Sequence, residues 1–159
     1  MTDIAALLRS LGARNVDFIL VGGAAAVAHG SARLTQDVDV VYARDAENLG
    51  RLVDALSPLH PYLRGAPPGL PFTFDERTLR SGLNFTLQTT AGAIDLLGEI
   101  AGGGGYRELL PHSFEIEVFG TRCRLLDLET LIRVKRAAGR PKDLEAIAEL
   151  EMIRERSRG

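Results

Sequence analysis

Two short stretches decide how this chain reads: Val21-Gly22-Gly23 and, with thirteen residues between, Asp37-Val38-Asp39. Residues 17–21, Asp17 followed by four apolar residues, read as a short buried strand ending in two glycines. The alanine-rich residues 22–29 read as a helix, and Gly30 sits where a C-cap belongs. Residues 37–42 read as a second strand. On a strand, side chains two apart share a face, so Asp37 and Asp39 project together. Val38, Val40 and Tyr42 take the opposite face, while Val41 shares the side of the acids. Paired carboxylates of this kind can hold a hard divalent cation. A glycine turn opening a helix offers unpaired N–H groups to a phosphate. Together the two stretches describe a place for a metal-bound nucleoside triphosphate.

Each element also has a plainer reading. Gly22-Gly23 is either a surface kept bare for phosphate or a tight strand-to-helix turn. The pair belongs to neither a Walker loop nor a dinucleotide fingerprint. Aspartate is disfavoured in strands, so Asp37 and Asp39 mark either a ligand site or a solvated strand end. Asp95, inside the apolar run Ala93-Ile94-Asp95-Leu96-Leu97, is either a third carboxylate for one or two Mg²⁺ ions or an edge-strand acid facing water. Ser31, Arg33 and Thr35 lie between the glycines and the acids, where they can meet phosphate; Arg33 can equally balance Asp37 or Asp39. His29 can simply finish its helix. Arg133, Lys135, Arg136, Arg140 and Lys142 gather late in the chain, as a phosphate or RNA grip or as a solvated helix face.

The rest of the chain supplies the frame. Ile4, Leu7, Leu8 and Leu11 recur at helical spacing, with Gly12 as the expected stop. Asp45 is the expected N-cap of a helix carrying Leu49, Leu52, Val53 and Leu56. Residues 57–71, with Pro58, Pro61, Pro67 and Pro68, read as a long surface loop. Residues 72–74 and 83–89 read as hairpin strands, 93–97 as a further strand, and the glycines 102–105 as unstructured. Residues 114–119 and 122–126 form an expected hairpin around Gly120-Thr121. Asp127 caps a helix ended by Gly139, and Pro141 opens another. The fold expected is α/β: a small mixed β-sheet with helices packed mainly on one face, closed by a helical pair over about 127–155, in a single domain spanning 1–159.

Bulk properties narrow the classes. With 45% hydrophobic and 25% charged residues and a net charge of -2, the chain has the make-up of an ordinary globular protein and no general nucleic-acid coat. Its lone Cys123 and scattered His29, His60 and His112 provide neither a disulfide nor a zinc set. No apolar run reaches a membrane span, and the start of the chain lacks the basic region of a signal peptide. No membrane and a cytoplasmic location are expected.

The spacing of Gly22-Gly23 and Asp37-Val38-Asp39 resembles the signature of the nucleotidyltransferase (polymerase-β-like) superfamily, with Asp95 at the place of its third acid. His29-Gly30, Arg33 and Thr35 resemble the bacterial branch that includes AbiEii-type toxins, and Lys135 with Gly139-Arg140-Pro141-Lys142 is similar to that branch's basic C-terminal helices. The likeness covers roughly residues 15–150, in a chain shorter than most full toxins of the branch. It implies transfer of a nucleoside monophosphate from a nucleoside triphosphate with Mg²⁺ or Mn²⁺. Asp37, Asp39 and Asp95 would be the catalytic and metal-binding acids. Gly22, Gly23, Ser31, Arg33, Thr35, Lys135 and Lys142 would meet the nucleotide. The acceptor is left open among a protein, a tRNA and a small molecule, and an antitoxin is an implied partner. A nucleotide-binding or protein-interaction module without turnover is the other reading.

Overall fold

The structure is a computed structural model that describes residues 1–158. Along the chain come α1 (Ile4–Ala13), β1 (Phe18–Val21), α2 (Gly22–Ala28), β2 (Asp37–Tyr42), α3 (Ala46–Leu56), β3 (Tyr62–Leu63), α4 (Glu76–Ser81), β4 (Asn84–Thr89) and β5 (Gly92–Leu97). There follow β6 (Glu99–Ile100), β7 (Gly104–Gly105), α5 (Tyr106–Leu109), β8 (Ser113–Val118), β9 (Thr121–Leu126), α6 (Leu128–Ala138) and α7 (Pro141–Arg158). Seven strands make one mixed sheet in the order β3-β4-β5-β2-β1-β9-β8. The pairs β2–β5 and β1–β9 are parallel, and the other neighbours are antiparallel. The α/β class and the small mixed sheet agree with the sequence reading.

Strand burial explains the layering. In β4 and β5 every second residue is buried, and Val38 and Val40 of β2 continue that face with Phe85, Leu87, Ile94 and Leu96. Against it pack the apolar stripes of α1 (Leu7, Leu8, Leu11) and α3 (Leu49, Leu52, Leu56). β1 has all four residues buried, as a central strand between covered faces should. Its second cover is α2 with α6, and α7 packs on α6. One hydrophobic cluster therefore runs from Leu7 through the sheet to Leu150. Four helices open on an aspartate whose side chain accepts an N–H three residues on: Asp3, Asp45, Asp75 and Asp127. Each such cap contributes about 1 kcal/mol. No helix among the described residues is long and apolar enough to cross a membrane.

Five expectations need correction. Helix α1 does not stop at Gly12 but runs to Ala13; Gly12 is there because a Cβ would stand 3.0 Å from the Thr121 side chain. Residues 57–71 are not all loop, since Tyr62 and Leu63 pair with Gln88 and Leu87 as the edge strand β3. Phe72 and Phe74 pack on the core from irregular backbone rather than a strand, and the capped helix α4 follows them. The run Gly102 to Gly105 is ordered against α6: a Cβ on Gly102 would stand 2.5 Å from Ala137, and Gly104–Gly105 pairs with β6. The expected hairpin forms with its turn one residue earlier, at Phe119-Gly120, because Thr121 already pairs with Val118; Phe119 and Gly120 both have positive φ (52° and 76°), the pattern of a type I′ connection.

Candidate active site

Three acids meet on the open face of the sheet. Parallel pairing of β2 with β5 sets Asp39 directly beside Asp95, and Asp37 lies two residues back on the same face. Carboxylate oxygens of Asp37, Asp39 and Asp95 lie within 4.8 Å of one another. Like charges this close, partly out of water, oppose ionisation. Burial, above all, raises the Asp39 carboxyl from 3.8 to about 8; a hydrogen bond and charge from Asp95 and the charge of Asp37 add to it, and Lys135 offsets a part. One oxygen of Asp39, Oδ1, is buried with no hydrogen-bond partner. A buried, unpartnered acceptor among three carboxylates is a donor set for a hard dication, which binds oxygen and relieves the repulsion. By this test the residues fit a Mg²⁺ or Mn²⁺ ion.

The glycine pair is explained by close approach. Gly22 has φ +67°, and a Cβ there would stand 2.0 Å from Asp39 Oδ2. A Cβ on Gly23 would stand 2.7 Å from Thr35 Oγ1, and that hydroxyl donates to the Asp37 carbonyl at 3.0 Å. The turn thus lets α2 begin against the acid cluster. No side chain caps the first turn of α2.

Beside the acids opens a cleft of about 410 Å³. Asp37, Asp39 and all seven residues singled out for nucleotide contact, Gly22, Gly23, Ser31, Arg33, Thr35, Lys135 and Lys142, line it, together with Arg140 and Asp143. A second hollow of about 280 Å³ shares Gly22, Asp39, Lys135, Arg140 and Asp143 and continues over Leu97, Ile100, Leu131 and Val134. Asp39 and Lys135 therefore stand between a charged cleft and a more apolar one.

Several of these side chains already have partners. Ser31 Oγ donates to Glu149 Oε1 at 2.5 Å, and the Ala32 N–H donates to Glu149 Oε2 at 3.0 Å. Arg33 lies 3.8 Å from Glu149 and 3.9 Å from Glu145. Ser31 and Arg33 are thus tied to α7 on the cleft wall. Lys135 sits 4.0 Å from Asp143, and Arg140 Nε donates to Asp143 Oδ2 at 2.6 Å. Burial lowers the Lys135 ammonium, and the charges of Asp143 and Asp39 oppose that. Burial pushes the Asp143 carboxyl up, but the hydrogen bond and charge of Arg140, with Lys135, outweigh it and hold the group below its usual value. His29 takes the plainer role: its Nε2 bonds the Leu126 carbonyl at 2.8 Å, tying the end of α2 to β9.

Sequence reasoning missed three residues of this region. Arg64 reaches in from the proline-rich segment, its Nη2 2.8 Å from Asp95 Oδ1 and its Nη1 3.8 Å from Asp37 Oδ2. Nothing local in the sequence signals that. Glu149 holds Ser31 from a helix 118 residues away in sequence. Asp143 was within reach, because Arg140 and Asp143 stand three apart at a helix start.

No protein-family profile matches the chain, and no curated protein sequence does. Solved structures do. A Thermotoga maritima protein classed provisionally as a nucleotidyltransferase superposes with a TM-score of 0.55 at 15% identity, over 89% of this chain and 88% of that one. ANT(2")-Ia in complex with adenylyl-2"-tobramycin gives a TM-score of 0.55 at 17% identity, over 98% of this chain and 95% of that one. A nucleotidyltransferase-like protein from Paracoccidioides brasiliensis gives 0.50 at 20% identity, over 92% and 72%. At these identities the likeness is one of fold: the chain has a nucleotidyltransferase-like fold.

Proposed function

We propose that this chain is a divalent-metal-dependent nucleotidyltransferase of the polymerase-β-like superfamily. The observation that carries the reading is the three-acid cluster, with its unpartnered Asp39 oxygen, two of whose members, Asp37 and Asp39, line a cleft shared with Arg33, Lys135, Arg140 and Lys142. In the reaction, an acceptor hydroxyl attacks the α-phosphorus of a nucleoside triphosphate, its proton leaves, and pyrophosphate departs. Asp37, Asp39 and Asp95 would hold Mg²⁺ or Mn²⁺. When bound, such an ion neutralises the acids and polarises a phosphoryl oxygen.

The remaining roles fall to the chain's own side chains. Asp95 orients the attacking hydroxyl or accepts its proton. Lys135 and Lys142 stand on the cleft wall where negative charge builds on the departing pyrophosphate, and fixed cations there stabilise it. Gly22, Gly23 and Thr35 shape the wall that the triphosphate follows. Ser31 and Arg33 serve the phosphates once they exchange Glu149 for them, since both now bond that carboxylate. The fold neighbour holding an adenylylated aminoglycoside supports a hydroxyl acceptor. The resemblance of His29-Gly30, Arg33 and Thr35 to the AbiEii-type branch supports a place in a toxin–antitoxin pair, with a protein or tRNA as acceptor.

The test is transfer of label from α-labelled triphosphates, with Mg²⁺ or Mn²⁺, to an acceptor in a lysate or to the protein itself, beside Asp39→Asn. Loss of an electrostatic stabiliser should slow transfer about 10²-fold or more. Equal rates for the two proteins would sink the metal mechanism. Metal-dependent triphosphate binding with no transfer to any class of acceptor would favour the binding-module reading.

A further inference from the structure

Arg64 occupies a position that the proposed mechanism leaves unexplained. Its guanidinium bridges two of the three acids, at 2.8 Å from Asp95 and 3.8 Å from Asp37. It is held there rather than resting on the surface. The Arg64 backbone N–H donates to the Thr86 carbonyl at 3.0 Å, and Nη2 donates to the Leu87 carbonyl at 2.7 Å. Both acceptors belong to β4, the strand beside Asp95. The Arg64 side chain is 28% exposed, and its Nε is buried. An arginine keeps its charge at any pH the protein meets and presents a planar fork suited to carboxylates. Arg64 also lines a hollow with Asp37 and Gln88 that adjoins the Lys135 cleft at Gln36 and Asp37.

Resting on the metal-site reading above, we propose that Arg64 is a built-in second cation of the acid cluster, so that the nucleotide-free protein takes one divalent ion and not two. The charge balance supports this. With Arg64 counted, one dication neutralises three ionised carboxylates, and a second would leave the site positively charged with no anion to answer it. Geometry supports it as well. The space between Asp95 and Asp37, where a second ion would bridge them, holds the guanidinium. Two buried acid oxygens lack a hydrogen bond, Asp39 Oδ1 and Asp95 Oδ1. Asp95 Oδ1 has the guanidinium at 2.8 Å, while Asp39 forms no ion pair among the described residues, so the single ion finds its free ligand on Asp39. Arg64 is thus a positioning residue: it fixes Asp95 and Asp37 and limits the metal count.

Titration of Mn²⁺ into the nucleotide-free protein tests this, with stoichiometry from calorimetry and the spectrum of bound Mn²⁺ from electron paramagnetic resonance. Wild type should bind one ion and show an uncoupled spectrum. Arg64→Gln should bind two, with the broadening of a spin-coupled pair, or bind the first at least tenfold more tightly. Arg64→Lys, which keeps the charge, should behave as wild type. Two ions in wild type would overturn the role of Arg64 while leaving the metal site standing, and that result needs no variant to fold. One ion of unchanged affinity in a folded Arg64→Gln would also overturn it. No Mn²⁺ bound by wild type or either variant would overturn the metal-site reading itself, and this inference with it.

Discussion

Asp39 and Asp143 both line the cleft beside α6, and their surroundings are opposite. Asp143 is 2% exposed, receives Arg140 at 2.6 Å, and has Lys135 at 4.0 Å. Asp39 faces two further carboxylates and keeps one buried oxygen without a partner. Burial lifts both carboxyls. At Asp143 the cations overcome it; at Asp39 the neighbouring acids reinforce it, up to about 8. The α6–α7 junction is therefore electrostatically complete in the folded chain. The sheet end is complete only after something positive is added. A fold that places both beside one cleft sets a carboxylate already answered by cations next to carboxylates that face one another.

The largest effect that would break this contrast is at the completed end. Asp143→Ala removes a buried acceptor and leaves Lys135 without its nearest counter-charge, which should destabilise by about 3 kcal/mol. For a chain of this size that lowers the melting temperature by roughly 6–12 °C. Calorimetry with and without Mn²⁺ checks it: the loss should appear in both, since the junction supports the fold rather than the metal. A loss confined to the metal-loaded protein would mean that Asp143 belongs to the ligand site.

Gly22→Ala sharpens the other end. An alanine at φ +67° costs about 1–2 kcal/mol in backbone strain. Its Cβ would also meet Asp39 Oδ2 at 2.0 Å and turn that carboxylate aside. Mn²⁺ affinity should fall at least tenfold, about 1.4 kcal/mol, beyond any loss of stability. Unchanged affinity would show that Asp39 can move without cost to the site.

The smallest effect should come from Glu149→Gln. The Ser31 hydroxyl, then the Ala32 N–H and the Arg33 charge, hold that carboxyl below its usual value. Weakening them frees Ser31 and Arg33 for phosphate, so triphosphate affinity should rise slightly in a binding titration, with Mn²⁺ affinity unchanged. A fall in triphosphate affinity would instead mean that Glu149 holds those residues in their working positions.

How much of this was legible in the sequence follows the range of each interaction. The alternation that puts Asp37 and Asp39 on one face is local and could be read directly. Asp95 was legible as an acid inside an apolar run, although its pairing with Asp39 depends on register. Asp45 and Asp127 could be read as caps because helical periodicity follows each of them. Asp75 could not, because Phe72-Thr73-Phe74 mimics a strand while both rings pack on the core from irregular backbone. Arg64 was hidden for a related reason. It enters the site at the end of a two-residue edge strand that only its pairing with β4 defines. The proline-rich composition around it pointed to a loop. Glu149 was hidden because α7 buries only Asp143, Ala146, Ile147 and Leu150, too few positions to mark which side faces the cleft.

The central claim is that the acid cluster is unstable alone and satisfied by a divalent ion, and melting temperatures of wild type and Asp39→Asn between pH 5 and 8.5 test it most directly. In wild type without metal, the folded carboxyl keeps its proton up to about 8 while the unfolded one loses it near 3.8. The folded state then binds more protons, so stability should fall as pH rises through that window. Asp39→Asn should lack that slope and melt higher than wild type at pH 8. Saturating Mn²⁺ should reverse the order, raising wild type by mass action and leaving the variant nearly unmoved. Parallel pH profiles for the two proteins, with no response of wild type to Mn²⁺, would contradict the account.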